Sequence, residues 1–123
     1  MLAQERMVAF LGTTDAVRAR TFFEGALGLS FAGDHGPVVT FEGGAWRLML
    51  QKTDHVTPPY GTALGWHVAD LRGTIRALVA RGVEFERGEL PQDELGIWSP
   101  VPGQGVAWFL DPDGNRLSLN GDI

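Results

Sequence analysis

Short apolar stretches separated by glycine and proline run along the whole chain, and this pattern predicts many short strands with two helices between them. Residues 6–12 form the first predicted strand, which is apolar on both faces and is therefore expected to be covered on both sides. Asp15 predicts a helix start, because its carboxylate can accept hydrogen bonds from the first turn, and Gly28 is a typical helix end. The apolar stripe of this helix comprises Ala16, Ala19, Phe23, Ala26 and Leu27. Further strands are predicted in this half at 29–32, 37–42 and 46–51.

The second half of the chain repeats this order. A strand at 63–68 leads to a helix that Asp70 caps and Gly82 ends. The apolar stripe of this helix comprises Leu71, Ile75, Leu78 and Val79. Later strands are predicted at 83–86, 106–110 and 115–120, and the sequence Asp-Pro-Asp-Gly predicts a turn between the last two. Arg47-Leu48-Met49-Leu50 aligns without a gap with Arg116-Leu117-Ser118-Leu119, which indicates an internal repeat of two βαβββ modules.

One domain spanning 1–123 is therefore expected, made of modules at 1–53 and 62–123 that share one continuous sheet. The segment 52–61 lies between them and contains two adjacent prolines, which continue neither a strand nor a helix. The stretch 87–104 is long for a loop of a compact domain. Its apolar residues include Leu95, Ile97 and Trp98. They indicate that the loop folds over another surface, either as a lid on a binding site or as a dimer contact.

Three stretches resemble the vicinal oxygen chelate superfamily, which includes glyoxalase I, the bleomycin resistance proteins and the extradiol dioxygenases. They are DAVRARTFFEGALGL at 15–29, GWHVADLRGTIRALVARG at 65–82 followed by VEFE, and AWFLDPDGNRLSL at 107–119. The resemblance covers nearly the whole chain. It implies an α+β fold of two βαβββ modules, whose curved mixed sheets form a cup with the helices outside and a small-molecule ligand inside. It also implies a homodimer.

The resemblance further implies where a divalent metal would bind, because the family's enzymes take ligands from the first and fourth strands of each module. The corresponding positions of this sequence are Val8, Met49, Ser118 and Ala63 or, with a slip of one residue, Leu64. None of these side chains is an imidazole or a carboxylate, the groups that catalytic divalent ions prefer. No metal and no other cofactor is therefore expected, and metal-dependent chemistry of the family's usual kind is disfavoured.

Nine residues are candidates for contacting a ligand in the cup: Val8, Phe10, Arg47, Met49, His67, Trp98, Trp108, Arg116 and Ser118. The two tryptophans can form aromatic walls, although a single tryptophan is more often part of a core. Arg47 and Arg116 occupy equivalent positions of the repeat, and guanidinium groups suit a carboxylate or phosphate on the ligand. The alternative is that both arginines are exposed at strand ends or pair with Glu42 and Asp113.

His67 is the candidate for acid–base catalysis, because an imidazole titrates near neutral pH. The alternative is a structural histidine that is hydrogen-bonded to a neighbouring strand or to Asp70. His35 and His55 lie in loops beside aspartates and are expected to be solvated.

Composition narrows the classes of function. The 123 residues include no cysteine, which excludes disulfides, a thiolate nucleophile and cysteine-based metal sites. The net charge of −5 argues against binding to a nucleic-acid backbone. No apolar run reaches the length of a membrane span, and the first residues show no signal-peptide pattern, so a cytoplasmic protein is expected.

Two functions fit these observations. The favoured one is a binding protein of the bleomycin-resistance type, which holds an apolar or aromatic small molecule without a metal. The alternative is a lyase or dioxygenase-like enzyme with an atypical metal site or with His67 as its acid or base. A third interpretation is an interaction module whose cup is filled by side chains.

Overall fold

The computed structural model describes residues 1–123, which form two compact units, Met1–Pro58 and Pro59–Ile123. Each unit contains one helix and four strands in the order βαβββ. The first unit opens with a short 3₁₀ turn and continues with β1 (Met7–Thr13), α1 (Ala16–Arg20, extended as a π-helical segment at Thr21–Ala26), β2 (Ser30–Asp34), β3 (Val38–Glu42) and β4 (Trp46–Lys52). The second unit contains β5 (Leu64–Val68), α2 (Leu71–Ala80), β6 (Trp98–Val101), β7 (Gln104–Leu110) and β8 (Arg116–Asp122).

The two sheets have the same topology, β1-β4-β3-β2 in the first unit and β5-β8-β7-β6 in the second. β1 runs parallel to β4, and β5 runs parallel to β8, whereas all other neighbouring strands are antiparallel. The predicted α+β fold of two βαβββ modules is confirmed. The expectation of one continuous sheet is wrong. The strands form two separate sheets of four, and no backbone hydrogen bonds join a strand of one sheet to a strand of the other.

The core of the first unit lies between α1 and one face of its sheet. The Asp15 carboxylate accepts a hydrogen bond from the Arg18 N–H at 3.0 Å, as predicted for a helix cap. Phe23 on the π-helical segment and Phe41 on β3 are fully buried, and their ring centroids lie 5.7 Å apart. Alternation along β1 and β4 places a further set of side chains in this core: Leu11, Leu48 and Leu50. The opposite face of the sheet is therefore not covered by the helix.

The second unit repeats this arrangement. Asp70 caps α2 by accepting from the Gly73 N–H at 3.0 Å. The helix buries three residues of the predicted stripe, Leu71, Ile75 and Leu78. Val79 was also expected in the core, but it is 51% exposed, because one residue beyond Leu78 the helix has turned by about 100°.

The segment between α2 and β7 differs most from the prediction. The residues 83–86 do not form a strand, although Phe85 makes a single bridge to Phe109 on β7. β6, which lies inside the expected loop 87–104, pairs with the first part of β7 through Trp98–Val106 and Val101–Gln104, and Phe85 meets only the far end of the same edge. The expected long loop is therefore shorter and carries an edge strand.

Residues of the same loop complete the core of the second unit. Ile97 is 3% exposed and fills the space above Gly105, which has no side chain. The Asp93 carboxylate holds the loop in place by accepting from the Ile97 N–H at 2.9 Å and from Arg72 of α2 at 2.8 Å. Burial acts to raise the pKa of Asp93, but the hydrogen bonds that it accepts outweigh burial and hold the pKa below its ordinary value.

Candidate functional site

The first sheet has an open face, defined here as the face that points away from α1. Val8 and Phe10 of β1 lie on it and are 44% and 56% exposed, whereas Leu11 points into the core. Strand pairing places Val8 beside Arg47 and Phe10 beside Met49 on the parallel strand β4. Four site residues predicted from the sequence therefore share one surface. The apolar pair Phe10 and Met49 lies next to the pair Val8 and Arg47, which includes a cation.

Arg47 lies at the charged end of this open face. Its Nη2 atom lies 3.4 Å from Glu42 Oε2, so the predicted pairing with Glu42 is confirmed. Arg6 Nη1 lies 3.7 Å from the same carboxylate oxygen. The Nε atom of Arg47 is buried and has no hydrogen-bond partner, and neither has the buried hydroxyl of Thr40, which is paired with Met49.

The second sheet carries an ordered aromatic cluster on its own open face, the one turned away from α2. Trp98 of β6 and Trp108 of β7 stack with centroids 6.1 Å apart and an interplanar angle of 28°. The Trp108 indole N–H donates to the Thr62 hydroxyl at 3.0 Å. The guanidinium carbon of Arg116 lies 4.5 Å from the centre of the Trp108 ring. Trp108 is thus held by three different groups while remaining partly exposed.

Arg116 does not reproduce the environment of Arg47, although the two are equivalent in the repeat. Its Nε atom donates to Glu86 Oε2 at 2.8 Å, so the ion pair is formed with Glu86 and not with Asp113 as suggested by the sequence. Asp113 lies in the turn before β8, where its backbone N–H donates to Asp111. Together with Trp108, this ion pair borders an open cavity of about 620 Å³ that Tyr60 also lines.

His67 and Ser118 lie near this cluster on the same face of the second sheet. Ser118 is paired with Trp108 on one side and with Gly65 on the other, and His67 is two residues beyond Gly65 on β5. The His67 ring is exposed and makes no hydrogen bond, whereas Asp70, its suggested partner, caps α2. The structural interpretation of His67 is therefore not supported by any bond to it.

Gly65 keeps the surface beside Ser118 flat. A Cβ atom at this position would lie 2.8 Å from the backbone carbonyl oxygen of Ser118 and would also collide with the side-chain hydroxyl of Ser118. Only a glycine fits there without a shift of β8.

The donor set at the family's metal positions does not fit a catalytic divalent ion. Val8, Ala63 and Met49 offer no hard donor, and Ser118 offers only a neutral hydroxyl. No group of three or more histidine, aspartate or glutamate side chains is placed so that it could hold a metal ion. These residues therefore do not support a chemical step through a metal.

Three residues of the two surfaces were not identified from the sequence. Arg6 precedes the first strand, Thr62 precedes β5, and Glu86 lies thirty residues before the arginine that it pairs with. The alternation in Val-Glu-Phe-Glu was a signal for the orientation of Glu86, but nothing local pointed to its partner. None of the helices is long and apolar enough to cross a membrane.

Comparisons with known proteins concern the fold. No protein-family model matches the chain, and no curated protein matches it in sequence. Among solved structures, it is similar to TnmS3, an antibiotic binding protein from Streptomyces sp. CB03234, with a TM-score of 0.75 at 21% identity over 100% of this chain and 99% of that one. A glyoxalase/bleomycin resistance protein/dioxygenase superfamily member from Sphaerobacter thermophilus DSM 20745 gives a TM-score of 0.72 at 22% identity, over 99% of this chain and 100% of the other.

Lactoylglutathione lyase from Agrobacterium tumefaciens is also similar, with a TM-score of 0.72 at 17% identity over 94% of this chain and 91% of that one. The names of these structural neighbours state different functions, so the similarity concerns the fold and not the function. Taken with the two βαβββ units, it shows that the chain has the fold of the vicinal oxygen chelate, or glyoxalase/bleomycin resistance/dioxygenase, superfamily.

Proposed function

We propose that this chain is a small-molecule binding protein that holds an apolar or aromatic ligand without the help of a metal. The observation that carries the proposal is the fixed, partly exposed Trp108 on the open face of the second sheet. An aromatic ring that is already held in place loses little conformational entropy when a flat ligand packs against its exposed part. Such rings are common anchors in binding sites.

The open face of the first sheet supports the same proposal. Phe10 is more than half exposed, and its neighbours on this face include Val8 and Met49. Large apolar side chains that are exposed side by side are typical of a binding surface. Each 100 Å² of apolar surface that a ligand covers contributes about 2.5 kcal/mol.

The comparison with TnmS3 adds support from a protein of the same fold whose name states that it binds an antibiotic. The metal positions of the present chain, which carry apolar or small side chains, are compatible with a binding surface of this kind. Sequestration requires affinity and no catalytic group.

The proposal is tested by titrating a panel of flat aromatic compounds while recording tryptophan fluorescence and the melting temperature. We expect at least one compound to change both signals, with the same affinity before and after exhaustive treatment with a chelator. Trp108→Phe should weaken that compound about tenfold, because the ring contact shrinks and the indole N–H is lost. Trp66→Phe is the matched control, since Trp66 alternates to the other face of β5 and should leave the affinity unchanged. The proposal fails if no compound changes either signal.

A second candidate function is catalysis with His67 as acid or base. It is favoured by the exposed, unbonded imidazole on the same face as Ser118. Turnover of a bound compound that disappears in His67→Ala and persists in His55→Ala would support it. Unchanged turnover in His67→Ala would remove His67 from consideration.

We also propose that the chain acts as a homodimer. Several apolar side chains remain exposed in the single chain, among them Met7 at 75% and Val101 at 57%, and a second copy would cover surface of this kind. Sedimentation at micromolar concentration should give twice the chain mass of 13.3 kDa. A particle of 13.3 kDa at that concentration would contradict the dimer.

A further inference from the structure

We infer that the open face of the first sheet contains an anion subsite formed by Arg47 and Arg6, and that the ligand of this face is consequently an aromatic organic acid. This inference rests on the proposed binding function and specifies the chemical class of the ligand. It starts from an imbalance of charge. Two guanidinium groups, those of Arg6 and Arg47, approach a single oxygen of Glu42, at 3.7 Å and 3.4 Å.

Neither of these contacts is a short charge-assisted hydrogen bond, for which about 2.8 Å is usual. The Nε–H of Arg47 has no acceptor at all. A buried donor without a partner is unfavourable, and an oxygen that reaches it removes that penalty. Among these three groups there is one cation in excess, although the whole chain is acidic with a net charge of −5.

The internal repeat provides a comparison within the same molecule. At the equivalent position of the second unit, the Nε–H of Arg116 donates to Glu86 at 2.8 Å, and the guanidinium group lies over Trp108. Arg116 is therefore engaged by the protein itself, whereas Arg47 has a donor to spare. This difference assigns the anion subsite to the first unit and leaves the second unit as an aromatic surface.

The spacing of the first sheet sets the shape of the ligand. Val8 and Arg47 form one row across the sheet, and Phe10 and Met49 form the next. Rows of side chains on one face are separated by two residues, or about 7 Å along a strand. A fused-ring arene on Phe10 and Met49 would therefore place a carboxylate at one of its ends beside Arg47. The Arg47 side chain is 41% exposed, so a small rotation brings its Nε–Nη edge to the ligand.

The test uses two probes of the same shape, naphthoate and its neutral amide naphthamide, in calorimetric titrations at low ionic strength. We expect naphthoate to bind about tenfold more tightly than naphthamide. Arg47→Gln should bring the affinity of naphthoate down to that of naphthamide, and Arg6→Gln should reduce the difference. Arg76→Gln is the control, because Arg76 is an exposed arginine of α2, and the preference should remain. The preference should also shrink in high salt, because exposed charges are screened.

The outcomes separate this inference from the proposed function. Equal affinities of the two probes, or a preference that survives Arg47→Gln, leave ligand binding intact and overturn the anion subsite. If neither probe binds and no other flat aromatic compound binds, both proposals fail. Weaker self-association of Phe10→Ser together with unchanged probe affinity would assign the open face to a second copy of the chain and would also overturn the subsite.

Discussion

Substitution of Ile97 distinguishes a structural loop from a lid. Ile97 belongs to the loop that follows α2, and only 3% of its side chain is exposed. Its Cγ2 atom lies 2.6 Å from where a Cβ of Gly105 would be, and a side-chain atom of Leu71 lies 3.1 Å from the same point. Ile97 therefore fills space between the loop, β7 and α2, where a truncated side chain would leave a cavity.

The expected loss of stability follows from this packing. Ile97→Ala removes three buried carbon atoms, which corresponds to about 2.4 kcal/mol of transfer free energy, and the cavity raises the total to about 3 kcal/mol. For a chain of this size the melting temperature falls by about 4 °C for each kcal/mol, so a decrease of about 12 °C is expected. Ile97→Val should lower the free energy of unfolding by only about 1 kcal/mol.

Thermal and urea unfolding followed by circular dichroism measure this effect. Leu90→Ala is the control in the same loop, because Leu90 is 42% exposed and its truncation should change stability by less than about 0.5 kcal/mol. The interpretation of Ile97 as a core residue would be refuted by an Ile97→Ala protein with unchanged melting temperature and altered ligand affinity. That result would mean that the loop moves as a lid over the ligand.

Three further predictions concern single groups. The pKa of Asp93 is lower in the folded chain than in the unfolded chain, so its contribution to stability is present above about pH 4 and is lost as the pH falls through the folded pKa. Urea titrations should therefore show that Asp93→Asn loses less stability than the parent protein between pH 6 and pH 3. His67→Ala should change the free energy of unfolding by less than about 0.5 kcal/mol, because the ring is exposed and unbonded, and a larger loss would show that it has a structural partner. Gly65→Ala should destabilise the chain by about 1–3 kcal/mol because of the collision with Ser118. Gly88→Ala is the control, because its Cβ meets no atom, and equal melting temperatures for both variants would contradict the close approach of Gly65 to Ser118.

The likeness to a lactoylglutathione lyase and to an antibiotic binding protein at similar TM-scores shows why function needs separate evidence in this fold. The side chains at the metal positions distinguish chemistry more directly than the backbone does. In this chain they are hydrophobic or neutral, and the two open faces carry aromatic, apolar and guanidinium groups instead.

Local features of this protein can be predicted from the amino-acid sequence alone. The caps at Asp15 and Asp70 depend on hydrogen bonds that span three residues, and the position of Val8 and Phe10 on one face follows from strand alternation, although the sequence predicted that face to be covered and it is exposed in the single chain. The repeat of two βαβββ modules was also visible, because the same order of apolar stretches and turns occurs twice. These features depend on neighbouring residues, which a linear pattern contains.

Contacts between groups that are distant in the sequence depend on how the whole chain folds. The division of the β7 edge between β6 and Phe85, and the pairing of Arg116 with Glu86, both depend on strand register, which a local pattern does not specify. The same holds for the stack of Trp98 on Trp108. The difference between an engaged Arg116 and an Arg47 with an unpaired donor arises from these long-range contacts, because identical residues at equivalent repeat positions acquire different neighbours when the chain folds.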